Sequence, residues 1–134
     1  MGWQYYFVFF KGKMNMELNI KALKNIGDLQ HERVVLSVAE RCDAGAFLIA
    51  KVQKKDGFLT NEVLNTFWIP DVICNPNDLV VIYTKQGADF IKPLREGRRA
   101  IFFHLGLQKC IWNDYPQSCC PVLFRIKDYI SREQ

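Results

Sequence analysis

The strongest constraint on this chain is the spacing of its apolar runs. Seven or eight short β-rich segments recur about ten residues apart, with turn residues between them and no long helical period to separate them. That rhythm predicts an all-β domain, an antiparallel sandwich or barrel. The stretch 66–83 carries it most clearly. Phe67-Trp68-Ile69 is an aromatic-rich run, and Pro70 ends it because proline has no N–H to donate. Asn75-Pro76-Asn77-Asp78 is turn chemistry, in which Asn and Asp side chains hydrogen-bond their own backbone. Leu79-Val80-Val81-Ile82-Tyr83 follows as a run of β-formers suited to burial on both faces.

The other segments fit the same reading. Residues 33–39 place Val34, Leu36 and Val38 on one face and Val35 and Ser37 on the other. Cys42-Asp43-Ala44-Gly45 reads as a short hairpin loop into a strand at 46–52. Lys54-Lys55-Asp56-Gly57 is a further turn, and 58–65 reads as an irregular connection. Residues 85–99 form the longest polar stretch, with Gly87, Pro93 and Gly97, and read as a long loop. Strands at 100–105 and 122–126 complete the set. Residues 17–23 fit a strand in preference to one or two helical turns.

A chain of 134 residues is the length of one domain, and it shows neither an internal repeat nor a domain boundary. Its start stands apart. From Trp3 to Phe10 only Gln4 is not apolar. That run is too short for a membrane helix, which needs ~20 residues, and it lacks the basic flank and small-residue cleavage site of a signal peptide. Residues 1–15 are thus an aromatic tail or an extra edge strand ahead of a domain at 16–134. As an edge it offers candidate contacts at Trp3, Tyr5, Phe7 and Phe9, to a partner or to a second copy in a homo-oligomer.

Net charge is +4, mildly basic, which permits an acidic partner without demanding one. The five cysteines are odd in number and form no C-x-x-C pair, which points to free thiols in a reducing cytoplasm rather than a secreted disulfide framework.

The order of landmarks resembles the lamin-tail domain, an immunoglobulin-like β-sandwich. The residues that carry the resemblance begin with Glu32-Arg33-Val34-Val35-Leu36-Ser37-Val38, Asp43-Ala44-Gly45-Ala46-Phe47-Leu48-Ile49 and Thr66-Phe67-Trp68-Ile69-Pro70. They continue with Asn77-Asp78-Leu79-Val80-Val81-Ile82-Tyr83, Ile111-Trp112-Asn113-Asp114 and Pro121-Val122-Leu123-Phe124-Arg125-Ile126. The chain departs from the family pattern in two places: Phe47 stands nearest to where a tryptophan is common, and Asn77 replaces a turn glycine. The resemblance implies an all-β, antiparallel immunoglobulin-like sandwich of seven to eight short strands that acts as an interaction module. It brings no catalytic residues with it.

Reactive chemistry has little to build on. Only His31 and His104 are available as imidazole bases, and no G-x-S-x-G elbow or phosphate-cradling glycine loop is present. Cys110, Cys119 and Cys120 fall near His104, but adjacent cysteines in a strand point to opposite faces and rarely share one ion. The expectation is therefore no cofactor, no metal and no enzyme, with a small hydrolase of non-standard site as the remote alternative. The leading function is binding of a protein partner through an edge strand or loop surface. The alternative is nucleic acid at the basic stretch, where Lys85, Lys92, Arg95, Arg98 and Arg99 face only Asp89 and Glu96, and Phe90 is placed to stack on a base.

Overall fold

A computed structural model describes residues 16–134. The expected tail or edge strand at 1–15, with Trp3, Tyr5, Phe7 and Phe9, lies outside the described residues. Those described form ten strands: β1 (Leu18–Lys24), β2 (Arg33–Val38), β3 (Cys42–Asp43), β4 (Phe47–Lys55), β5 (Phe58–Trp68), β6 (Ile73–Cys74), β7 (Leu79–Tyr83), β8 (Phe90–Pro93), β9 (Arg99–His104) and β10 (Cys119–Arg125). Their order is β1-β2-β7-β9-β8 in a five-stranded sheet, β10-β4-β5 in a three-stranded sheet and β3-β6 in a two-stranded ladder. No described helix is long and apolar enough to cross a membrane.

The alternation in β2 does what its sequence predicts. Val34, Leu36 and Val38 enter one core with Val80 and Ile82 of β7, Ile101 and Phe103 of β9, and Phe47 and Ile49 of β4. Both large sheets thus bury side chains in the same interior. Phe67 of β5 meets Phe103 of β9 across it, with ring centroids 6.1 Å apart.

Four expectations need correction. Residues 42–45 do not turn a hairpin: β2 and β4 belong to different sheets, and β3 pairs instead with β6. The 58–65 connection is strand, the first part of β5, which holds register with β4 through two irregularities. Its polar residues are tolerated because most of β5 faces solvent. The 85–99 loop contains an edge strand, β8, and the first residue of β9. Finally, the sheets are not wholly antiparallel, since β7 and β9 run parallel from Leu79↔Ala100 to Tyr83↔His104. Parallel neighbours need a crossover of a dozen or more residues. The long polar stretch supplies it: the chain leaves β7, lays down β8 as the edge, and returns to insert β9 between them. The β4–β5 turn follows its sequence, with Asp56 and Gly57 both at positive φ (52° and 83°) as a two-residue hairpin turn requires.

Each end of β7 is fixed by a buried carboxylate. Past its C-terminal end, Glu32 is fully buried. Its Oε1 accepts from the Gly27 N–H (3.1 Å), and its Oε2 from the Thr84 hydroxyl (2.6 Å) and the Ile111 N–H (3.1 Å). One side chain thereby gathers three loops. At the N-terminal end, Asp78 is 1% exposed. It accepts from the Asn75 N–H (2.9 Å), the Arg99 N–H (3.0 Å) and the Arg99 guanidinium (3.0 Å). Burial alone would raise the Asp78 pKa, but the Asn75 and Arg99 hydrogen bonds outweigh it and hold the carboxyl below its ordinary value.

Two outcomes follow from these ends. Glu32→Ala leaves three donors without an acceptor, at about 1–3 kcal/mol each, and should lower unfolding free energy by more than about 3 kcal/mol in urea melts. Because the folded Asp78 pKa is depressed, its contribution is present above the unfolded value of about 3.9 and is lost as pH falls through the folded value. Wild-type stability should therefore decline steadily below about pH 4, and Asp78→Asn should flatten that decline.

Candidate functional site

The basic stretch divides into two groups once it is folded. Arg98 and Arg99 face inward on the turn before β7. Arg99 pairs with Asp78 and also donates to the Ile73 carbonyl (2.8 Å), while Arg98 donates to the Asn77 carbonyl (3.0 Å). These two arginines hold a turn together. Arg95 is exposed in a short 3-10 turn, Arg95–Gly97, that joins β8 to β9.

Lys85, Lys92 and Phe90 lie elsewhere, on the outer face of the five-stranded sheet. The register sets this arrangement. Phe90 pairs with Phe102 and Lys92 with Ala100, so both side chains share the face opposite the core residues Ile101 and Phe103. Phe90 stacks on Phe102 with centroids 4.5 Å apart and planes 11° from parallel. Phe102 stacks on Tyr83 at 6.2 Å, and Tyr83 on His104 at 5.4 Å. Two cations border this row: the Arg33 guanidinium lies 5.7 Å, and the Lys85 ammonium 5.2 Å, from the Tyr83 centroid. Both are within cation–π range. His104 Nδ1 is 3.1 Å from Asp89 Oδ1, so the candidate base is engaged at the sheet face. The backbone closes over it at Gly87, where an added Cβ would sit 2.5 Å from the ring.

The row ends at an open edge. Strand β8 pairs with β9 on one side, and all four of its residues are exposed. Phe90 is 52% exposed and Ile91 48%. Ile91 pairs with the core residue Ile101, yet its side chain is half exposed. The result is a short strand whose outer edge pairs with no other strand among the described residues, with apolar side chains above and below it.

A cavity lies in a different place. About 120 Å³ in volume, it opens between the sheets, lined by Val34, Phe67, Ile82, Leu105, Ile111 and Trp112 among others. Lys51 and Asn65 reach its rim, but Lys51 is paired with Asp114 at 3.2 Å. The buried Trp112 indole N–H has no hydrogen-bond partner among the described residues. His104 does not line this cavity.

Cys42, Cys74, Cys110 and Cys119 are free thiols. Cys119 is buried and donates to Asp114 (3.2 Å), and burial followed by that carboxylate pushes its pKa up to about 12. Among the described residues, no group of three or more His, Cys, Asp or Glu side chains is arranged to hold a metal. Cys110, Cys119, Cys120 and His104 thus do not converge.

Sequence reasoning grouped Phe90 with Lys85 and Lys92 but did not bring Tyr83, Phe102, Arg33 or His104 beside them. Residues with period-2 spacing in separate strands carry no signal of adjacency until the strand order is known. No family model, curated protein or solved structure matches the chain.

The division of the cations has a direct test. Arg99→Ala should cost about 3 kcal/mol, because it strands the buried Asp78 charge. Lys92→Ala should change stability by less than about 0.5 kcal/mol. Thermal melts of the two variants side by side check this.

Proposed function

We propose that the protein is a non-enzymatic interaction module that binds a protein partner by strand addition at β8. The observation that carries this reading is the edge Phe90-Ile91-Lys92-Pro93, paired on one side and exposed along its length. An extended segment of the partner would extend the sheet through main-chain hydrogen bonds, with Phe90 and Ile91 gripping alternate side chains on its two faces. Lys92 on the strand and Arg95 in the turn that follows it favour a segment with acidic residues. This use fits an immunoglobulin-like sandwich of the lamin-tail type. That assignment rests on the sequence landmarks and is supported by two sheets sharing one core, although the parallel β7–β9 pair departs from a wholly antiparallel sandwich.

The experiment is affinity capture from native cells with wild type and Ile91→Glu as paired baits, followed by titration of the captured partner into isotope-labelled protein. The proposal expects a partner held by wild type and lost with Ile91→Glu, and amide shifts centred on residues 90–93 and 99–104. Equal capture by both baits, or shifts confined to β1 or to the three-stranded sheet, would refute it.

A second reading has its own observation. The Phe90–Phe102–Tyr83 row bordered by Arg33, Lys85 and Lys92 has the composition of a base-stacking platform. It predicts that a labelled single-stranded oligonucleotide binds at low salt, that binding weakens steeply as salt rises, and that Phe90→Ala reduces it several-fold. No binding at low salt eliminates this reading and leaves strand addition untouched.

A further inference from the structure

The two-residue ladder β3–β6 sets two thiols opposite each other. Cys42 pairs in register with Cys74. Both lie toward the main core, Cys74 fully buried within it and Cys42 half-buried against it. Directly paired antiparallel residues have Cα atoms about 4.5–5.5 Å apart. A disulfide spans Cα separations of about 4.4–6.8 Å. No other described thiols are opposed in this way: on β10, Cys119 faces Gln53 and Cys120 faces Val52.

We propose that Cys42 and Cys74 form a redox-active pair that closes into a disulfide across β3 and β6 when the protein meets a small-molecule disulfide. The half-buried Cys42 thiolate attacks one sulfur of the oxidant, forming a mixed disulfide and releasing one small thiolate. Cys74 then loses its proton and attacks the Cys42 sulfur, releasing the second. Two protein thiols are oxidised, one small disulfide is reduced to two thiols, and both leaving groups depart through the open side of Cys42. The bond would tie the β2-to-β4 crossover to the β5-to-β7 connection. Those two segments already meet through Ala44 N–H to the Val72 carbonyl (2.9 Å) and Val72 N–H to Asp43 (3.1 Å).

The surroundings set the rate. Burial, then Glu17 and Asp43, raise the Cys42 pKa, and burial, Cys42 and Asp78 push Cys74 up to about 11, with Arg99 opposing. Little thiolate exists at neutral pH, so closure should be slow there and accelerate as pH rises toward 9 and above.

The test treats folded wild-type protein with excess oxidised glutathione, quenches it in acid, alkylates the remaining thiols and maps peptides without reduction. The expected product is a Cys42–Cys74 peptide lighter by two hydrogens, restored by dithiothreitol. Its formation should be faster at pH 9 than at pH 7, and the oxidised protein should melt about 5 °C or more higher. Cys110→Ser should leave the reaction unchanged, and Cys42→Ser should abolish the internal link. Recovery of both Cys42 and Cys74 in alkylated form, or of Cys42 as a stable glutathione adduct beside a free Cys74 thiol, would overturn the proposal. The wild-type map alone decides it, whether or not either variant folds.

Discussion

The fold depends on two carboxylates that the core encloses at opposite ends of one strand. β7 is the middle strand of the five-stranded sheet, and Val80 and Ile82 sit at the centre of the shared interior. Apolar packing fixes which face of β7 points inward, but it does not fix where the strand begins or ends, since a run of Val and Ile tolerates slippage. Asp78 and Glu32 supply that information. Each is buried, and each accepts from backbone donors of neighbouring segments as well as from a side chain. A buried charge without partners is costly, so only the register that delivers those donors is acceptable.

The same constraint shapes the outer edge. With β7 in place, Arg99 must stand beside Asp78, which positions the start of β9 parallel to β7. The chain between them has to pass over and return, and in doing so it deposits β8 at the margin. The exposed Phe90 and Ile91 thus follow from the crossover that a parallel pair demands. Strand β8 is held by four register pairs and by the Phe90–Phe102 stack. An edge so short and lightly held keeps its side chains exposed, and among the described residues its outer backbone pairs with no other strand.

Much of the fold was legible in the sequence because β2, β7 and β10 bury enough apolar surface for period-2 alternation, or a continuous apolar run, to survive in the residues themselves. Asp78 was also legible as a turn residue, since Asn-Pro-Asn-Asp announces side-chain capping. The first half of β5 was not, because Asn61, Glu62 and Asn65 face solvent, and a strand that buries little leaves no hydrophobic pattern. β8 was hidden for the same reason, inside a stretch whose charges read as loop. The turn read at 42–45 failed because a local turn signal cannot reveal that the chain changes sheets there. At the site, counting charges brought five cations together. Only the strand order showed that Arg98 and Arg99 hold a turn while Lys85 and Lys92 flank aromatic rings. Glu32 gave no signal at all, since an acidic residue before a β run reads as solvated.

Native-state amide hydrogen exchange, followed residue by residue, tests this account most directly. If the two buried carboxylates lock β7 and leave β8 as an open margin, the β7 amides should exchange only through global unfolding. The β8 amides should exchange orders of magnitude faster, with β9 intermediate on the side facing β8. Uniform protection across β7, β9 and β8, or a β7 that opens before the rest of the sheet, would contradict it.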